Sequence, residues 1–438
     1  MKISINPKEY LFKTYGAGQK KGLVMLKKGL ELLGNPQEKI RIIHLAGTNG
    51  KGSTCAMLGS ILRSQGYTVG QFTSPHLEVI NERFTINGQQ ISDEDFNKHT
   101  KKIIEMSNLL LKEGENFSYF EILTLIAFLY FAEKRVDFLL LEVGIGGRLD
   151  STNVISSPIL SIITAIGMDH MDLLGDTLEE IADQKAGIIK PNRPVVLSEN
   201  RPSVVDVVKG VAKENNAKFY YAEDLKVKII ALGIGGTFFE ARHSYFGKID
   251  IKLNLLGEYQ VDNARTAIMA AITLNGLGIR IEKDAIITGL RSVVWPGRME
   301  IAGKSPLILL EGAHNLQGAQ KVERFLAGQS AKGMFAGGIT LIVAIFSDKQ
   351  YKEIVRTFLK IADRVIFTLP DYGLRAVDPK ELSEIAGHLG KNSSRFDNSK
   401  DAFVHAKRVT PVNGLIFCTG SLYLVGDIRS LINKEAKA

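Results

Sequence analysis

The sequence predicts an α/β protein in two parts. The first is a P-loop-type, mostly parallel sheet with a small antiparallel subsheet; the second is a Rossmann-like α/β domain. Three observations predict it. Short, almost wholly apolar runs recur, such as IRIIHLA at 40–46 and VDFLLLEV at 136–143, and such runs suit strands covered on both faces. Helical patterns alternate with them, which is the order of βαβ units. The first run leads through a glycine-rich turn straight into a helix.

Taken in order, 40–46 is a strand, and the helix after its turn closes at Gly66. Residues 67–72 form the next strand and end in a Thr-Ser-Pro-His turn at 73–76. Runs at 136–143, 158–165 and 194–197 supply further strands. The helix before the last of these begins at Asp176 and Thr177, where Thr177 and Glu180 have capping-box spacing. Between about 219 and 256 the segments shorten and alternate, broken by GIGG and FG, and read as antiparallel strands. A helix over 260–274 follows. Residues 293–299, VVWPGRM, hold the only tryptophan and a Pro-Gly pair, and read as an interdomain hinge. Strands at 307–310, 340–346, 364–369 and 414–418 then restart the alternation. The domains are therefore placed at 1–296 and 297–438, with no internal repeat or low-complexity tract.

Composition narrows the class. A chain of 438 residues with 45% hydrophobic and 23% charged content is ordinary globular protein, not a disordered or fibrous one. Cys55 and Cys418 are too few and too far apart for a disulfide framework or a zinc site, which suits a reducing, cytoplasmic home. The longest apolar stretch, 122–132, is shorter than the roughly 18–20 residues of a membrane span, and the start, MKISINPKEY, lacks a signal peptide's apolar core. The net charge of +8 comes from scattered basic residues with little aromatic interleaving. It points to small polyanionic substrates ahead of nucleic acid.

The sharpest motif is HLAGTNGKGST, 44–54, between strand and helix. Gly47, Gly50 and Gly52 allow a tight turn that aims N–H groups at phosphate oxygens, Lys51 adds a cation, and the helix presents its N-terminus. The hydroxyls of Ser53 and Thr54 are placed to reach a phosphate-bound Mg²⁺. The strict Walker spacing is not met. A second motif, LLLEVGIGGRLDSTN at 139–153, puts Glu142 at the carboxyl end of a buried strand, where α/β sheets collect ligands. His170 follows another strand and Lys185 lies in a helix. Read separately, that histidine closes a loop and that lysine reaches for water. Together with Ser74, the set of hydroxyl, carboxylate and imidazole suits a hard divalent ion held largely by oxygen and phosphate. In the second domain, LILLEGAHN places Glu311, His314 and Asn315 after a strand, where they face the first domain across the hinge.

The combination AGTNGKGST, TSPH, FEILT, EVGIGGRLDSTN, DHMDLLGDTLEEIADQKAGIIK, LLGEYQVDNA, WPGRME and EGAHN resembles the Mur ligase superfamily, and within it the folylpolyglutamate synthase/dihydrofolate synthase branch. The resemblance runs over nearly the whole chain. It implies ATP-dependent joining of L-glutamate to a folate carboxylate, with dihydropteroate left open as a second acceptor. Gly47, Thr48, Asn49, Gly50, Lys51, Gly52 and Ser53 are then similar to the family's phosphate loop. Asn263, Arg298 and Glu311 match nucleotide-side positions, and Ser74, Glu142 and His170 match ligands for Mg²⁺, of which two ions are implied. Lys185 resembles the lysine that the family carbamylates, and His314 a residue near the reacting groups. Phe120, Glu121, Arg148, Asp150 and Ser151 lie in segments similar to those bordering the pterin. The resemblance also implies a monomer acting on small molecules, with no nucleic acid or membrane partner. Departures are Glu311 for the usual Asp, Tyr259 for a frequent His, Gln184 for Glu, Gln350 for a second Asp, and Leu316 for Pro. The alternatives are a Mur-type amino-acid ligase on another carboxylate substrate, a P-loop NTPase acting on nucleic acid, and a non-catalytic nucleotide-binding module.

Overall fold

The computed structural model describes residues 11, 14, 23–110, 117–371 and 375–436; the opening MKISINPKEY lies outside them. Its largest sheet has eight strands: β1 (Ile42–Ala46), β2 (Val69–Phe72), β3 (Phe84–Ile86), β4 (Gln89–Gln90), β5 (Phe138–Glu142), β6 (Leu160–Ile163), β7 (Val195–Leu197) and β8 (Phe219–Tyr221). Their order is β4-β3-β2-β5-β1-β6-β7-β8, parallel except for the β3 and β4 edge. Every residue of β1, β5 and β6 is buried, so the continuous apolar runs are strands with helices on both faces.

On one face, Leu58, Ile61 and Leu62 of the Lys51–Ser64 helix pack with Ala267, Ile268 and Ala271 of the Glu258–Gly276 helix. On the other, the mostly apolar Tyr119–Glu133 helix buries Leu123, Phe128 and Phe131 against Leu139 and Leu141. The capping box predicted at Thr177 forms: its hydroxyl accepts from Glu180 N at 3.2 Å, and Glu180 accepts from Thr177 N at 3.1 Å.

Strands β9 (Lys226–Gly233), β10 (Gly236–His243) and β11 (Gly247–Leu253) make the antiparallel subsheet. The segment expected to open it, β8, instead joins the large sheet parallel to β7. Three residues are too few for alternation to show direction, and the Pro202–Glu214 helix supplies the crossover that makes the pairing parallel. Beyond 293–299, a six-stranded sheet holds β12 (Glu300–Lys304), β13 (Leu307–Glu311), β14 (Ile339–Val343), β15 (Arg364–Phe367), β16 (Ser393–Arg395) and β17 (Leu415–Thr419), ordered β12-β13-β17-β14-β15-β16. Edge strands β12 and β16 were not legible in sequence: β16 has only three residues, and neither is an apolar run. No described helix is long and apolar enough to cross a membrane.

Candidate active site

The turn after β1 is fixed before the helix begins. Thr48 N and Asn49 N both donate to Ala165 O, at 3.0 and 3.1 Å, and Thr48 Oγ1 donates to Gly167 O. Those two amides are committed to the protein. The amides left to face a ligand are those opening the Lys51–Ser64 helix, whose first-turn N–H groups lack helical partners. The N-cap is Gly50 at φ +89°, and a β-carbon there would lie 2.2 Å from Asn263 Oδ1, so only glycine serves. Gly52 is required for a different reason: the Trp295 ring presses on it, 2.7 Å from where a β-carbon would stand. Lys51 Nζ donates to Gly47 O at 2.8 Å and Thr48 O at 3.3 Å. Behind the loop, Ser53 Oγ accepts from Gln260 Nε2, and Gln260 Oε1 accepts from Asn263 Nδ2 at 2.9 Å.

Glu142 ends β5 and is 3% exposed; its Oε2 accepts from Ser74 N at 3.0 Å. Burial pushes its carboxyl above the usual range, against Lys51, the Ser74 amide and Arg298. Lys185 Nζ donates to Gly47 O at 3.1 Å, the same oxygen that Lys51 uses. Burial, then the Lys51 charge, lowers its pKa to about 7, although Asp169 and Asp150 oppose this. His170 caps the short Met171–Leu174 helix at φ 50°; burial lowers its imidazole pKa against the pull of Asp169. Burial raises Asp169, but His170 and Lys349 outweigh it and hold the carboxyl below its usual value. Lys349 reaches Asp169 from the second domain at 3.0 Å.

Lys51, Ser53, Ser74, Glu142, Asp169, His170 and Lys185 share one cleft of about 560 Å³ whose far wall is the second domain: Arg298, Glu311, His314, Asn315 and Gln317. Asn315 Nδ2 donates to Asn49 Oδ1 at 2.8 Å, and Asn49 Nδ2 donates to Gln317 Oε1 at 2.9 Å, so the phosphate loop touches the second domain directly. His314 Nδ1 lies 3.0 Å from Gly312 O, so that nitrogen carries the proton and Nε2 is left as an acceptor. Burial lowers its pKa to about 4. The imidazole is therefore neutral at pH 7, with Nε2 free to accept a proton.

Five predicted residues are not part of this wall. Phe120 packs behind the 144–147 loop, its ring 2.7 Å from where a β-carbon of Gly144 would stand and 5.8 Å from the Phe72 ring. Glu121 completes a capping box, accepting from Ser118 N at 2.7 Å. Arg148 pairs with Asp183 at 2.8 Å, both half-exposed. Asp150 is buried and accepts from the amides of Gly144 and Ile145, each at 3.0 Å, and from Thr152 Oγ1 at 2.5 Å. It thus holds in place the loop that lines the cleft. Ser151 starts the turn Ser151–Val154 beside it. Sequence reasoning missed Asp169, Lys349, Gln260 and Gln317. Gln260 had a signal, lying one helical turn before Asn263; the others become partners only when the domains meet.

Residues 45–271 match the model of the Mur ligase middle domain, and residues 298–431 match that of the dihydrofolate synthetase C-terminal domain. The dihydrofolate synthase/folylpolyglutamate synthase of Bacillus subtilis is 39% identical over 419 residues, covering 94% of this chain and 95% of that one. The chain belongs to the dihydrofolate synthase/folylpolyglutamate synthase family. Among solved members of that family, the folylpolyglutamate synthase of Thermotoga maritima superimposes with a TM-score of 0.84 at 34% identity, covering 98% of this chain and 96% of that one. The folylpolyglutamate synthase of Mycobacterium tuberculosis, solved with ADP, gives 0.88 at 28% identity, with 97% of each chain covered.

Proposed function

We propose that the chain is an ATP-dependent ligase that joins L-glutamate to a folate carboxylate, as a folylpolyglutamate synthase, and acts on dihydropteroate as well. The observation that carries this reading is that one cleft unites the Lys51 helix N-terminus, the buried Glu142–Ser74 pair and near-neutral Lys185, and is closed by His314 and Arg298 of the second domain. The relatives named above support the choice of substrates.

A carboxylate is a poor electrophile. In this reading its oxygen attacks the γ-phosphorus of ATP, the bond to the β-phosphate oxygen breaks, and ADP leaves an acyl phosphate. Lys51 and the amides opening its helix hold the phosphoryl oxygens as charge shifts toward ADP. The glutamate nitrogen then attacks the acyl carbon, the carbon–oxygen bond to phosphate breaks, and the amine gives up a proton. His314 Nε2 is an unprotonated acceptor in the cleft and is the group we assign to that proton. Asn49 with Asn315 and Gln317, and Asp169 with Lys349, close the two domains around the reaction and exclude water from the acyl phosphate.

No group of three or more His, Cys, Asp or Glu among the described residues is arranged to hold a metal alone. A single buried carboxylate beside a serine and a partly exposed histidine fits Mg²⁺ that is shared with phosphate oxygens and water. Glu142 and Ser74 would hold one ion and His170 a second. Such ions would offset phosphate charge. Lys185, near-neutral and buried, is an amine able to take up CO₂; as a carbamate it would turn a repelled cation into an oxygen anion. Rescue of Lys185→Ala by short carboxylic acids tests this, and absence of rescue in a folded variant counts against it. The reading places the enzyme in a reducing cytoplasm as a monomer without nucleic-acid partners, with both cysteines buried and free.

Phosphate release is the direct test, with ATP, glutamate and either dihydropteroate or tetrahydrofolate, each omitted in turn. Release should require all three components. Release that ignores glutamate would overturn the reading.

A further inference from the structure

The Glu311 carboxylate is 3% exposed and serves three groups from three parts of the chain. Its Oε2 accepts from Tyr259 Oη at 2.9 Å and from Met299 N at 3.0 Å. Its Oε1 lies 3.5 Å from Arg298 Nη1. Tyr259 opens the Glu258–Gly276 helix of the first domain, yet its ring packs into the core of the second, against a cluster that includes Met299 and Leu309. Met299 sits at φ 48°, a left-handed conformation that is costly for any residue with a β-carbon and needs to be held. The hydrogen bond from its N–H to Glu311 and its buried side chain hold it. Gly312 N donating to Gly297 O at 2.9 Å ties down the residue on the other side of Arg298. Arg298 itself reaches the cleft of the phosphate loop and also a second cavity of about 440 Å³ on the side of Trp295.

We infer that Tyr259 is a positioning residue: by donating to Glu311 it fixes the carboxylate that orients the Arg298 guanidinium into the nucleotide cleft and holds Met299 in its left-handed conformation. The geometry favours this over simple packing. A tyrosine needed only to fill the second core would not place its hydroxyl on a carboxylate whose other oxygen faces a cleft-lining arginine. Without the phenol, Oε2 retains one donor, and the carboxyl is free to turn toward Arg298 and draw its guanidinium back. The proposal rests on the nucleotide reading of the cleft.

The test is Tyr259→Phe, which keeps the ring and removes one hydrogen bond. The expected result is a rise of about tenfold in KM for ATP, the scale of one hydrogen bond to a charged group, with KM for glutamate within about twofold of wild type. Arg298→Lys forms the second arm, because the amine cannot reproduce the planar pairing. In the Arg298→Lys background, Tyr259→Phe should add less than about twofold. An unchanged KM for ATP, or penalties that simply multiply in the double variant, would overturn the positioning role. So would a loss of turnover that follows a lowered Tm with no KM split. Binding of ADP to the wild-type chain, measured beside these, separates the two claims: if ADP does not bind, the nucleotide reading falls and this inference with it.

Discussion

Lys185→Met probes the least ordinary electrostatic feature of the site. The side chain is 4% exposed, and its ammonium shares the carbonyl of Gly47 with Lys51. Its pKa falls from 10.5 to about 7 on folding. At 1.36 kcal/mol per pH unit, holding this amine costs on the order of 5 kcal/mol below pH 7, an upper bound because water and backbone relax around it. The sign follows from proton counting. Between about pH 7 and 10.5 the unfolded chain keeps the proton that the folded chain has lost, so wild-type stability rises with pH across that window and is flat below it. Methionine does not titrate. The variant should therefore be more stable than wild type at pH 7, by about 1–3 kcal/mol on the scale of replaced buried charges, with the advantage shrinking toward pH 10. Urea unfolding in CO₂-depleted buffer, followed by the fluorescence of Trp295 against Gly52, reports on this lobe. Wild-type and variant midpoints that run parallel from pH 7 to 10 would show that Lys185 keeps its proton when folded, and the argument would fail.

Lys51→Ala should cut ligation by at least about a thousandfold while Tm changes by only a few degrees, because the loop is also held by Thr48 and Asn49 on Ala165; wild-type turnover would refute the phosphate role. Gly50→Ala combines a φ of +89° with a contact at 2.2 Å to Asn263, so it should cost about 1–3 kcal/mol in unfolding and weaken ADP binding in calorimetry. Lys349→Met removes one half of an ion pair whose side chains are each 12% exposed. With closure weakened, phosphate release should exceed glutamate incorporated; a ratio that stays at one would show that this pair does not guard the acyl phosphate.

Most of the fold and half of the site were legible because they are local. Continuous apolar runs gave β1, β5 and β6, and glycine with lysine at a strand-to-helix turn gave the phosphate loop, whose shape depends on a few neighbouring dihedrals. Glu142 was legible because its place at the end of β5 follows from the run before it. The direction of β8 was not, since three residues carry no sign of parallel pairing. The partners of Asp150 were not legible either: the amides of Gly144 and Ile145 come from a loop that folds back on it. Tyr259 and Glu311 stand 52 positions apart in the sequence, and the structure places one on the other.

The sequence alone therefore determined which residues turn the chain, cover the strands and present the helix N-terminus, since those depend on side-chain chemistry within a few positions. Only the tertiary structure decided which charges meet. Asp169 found Lys349, Asn49 found Gln317, and Lys51 and Lys185 came to one carbonyl, through contacts between segments more than a hundred residues apart. Such pairings are fixed by how two packed domains are set against each other, and their strength by burial; neither quantity is written in any short stretch of the chain.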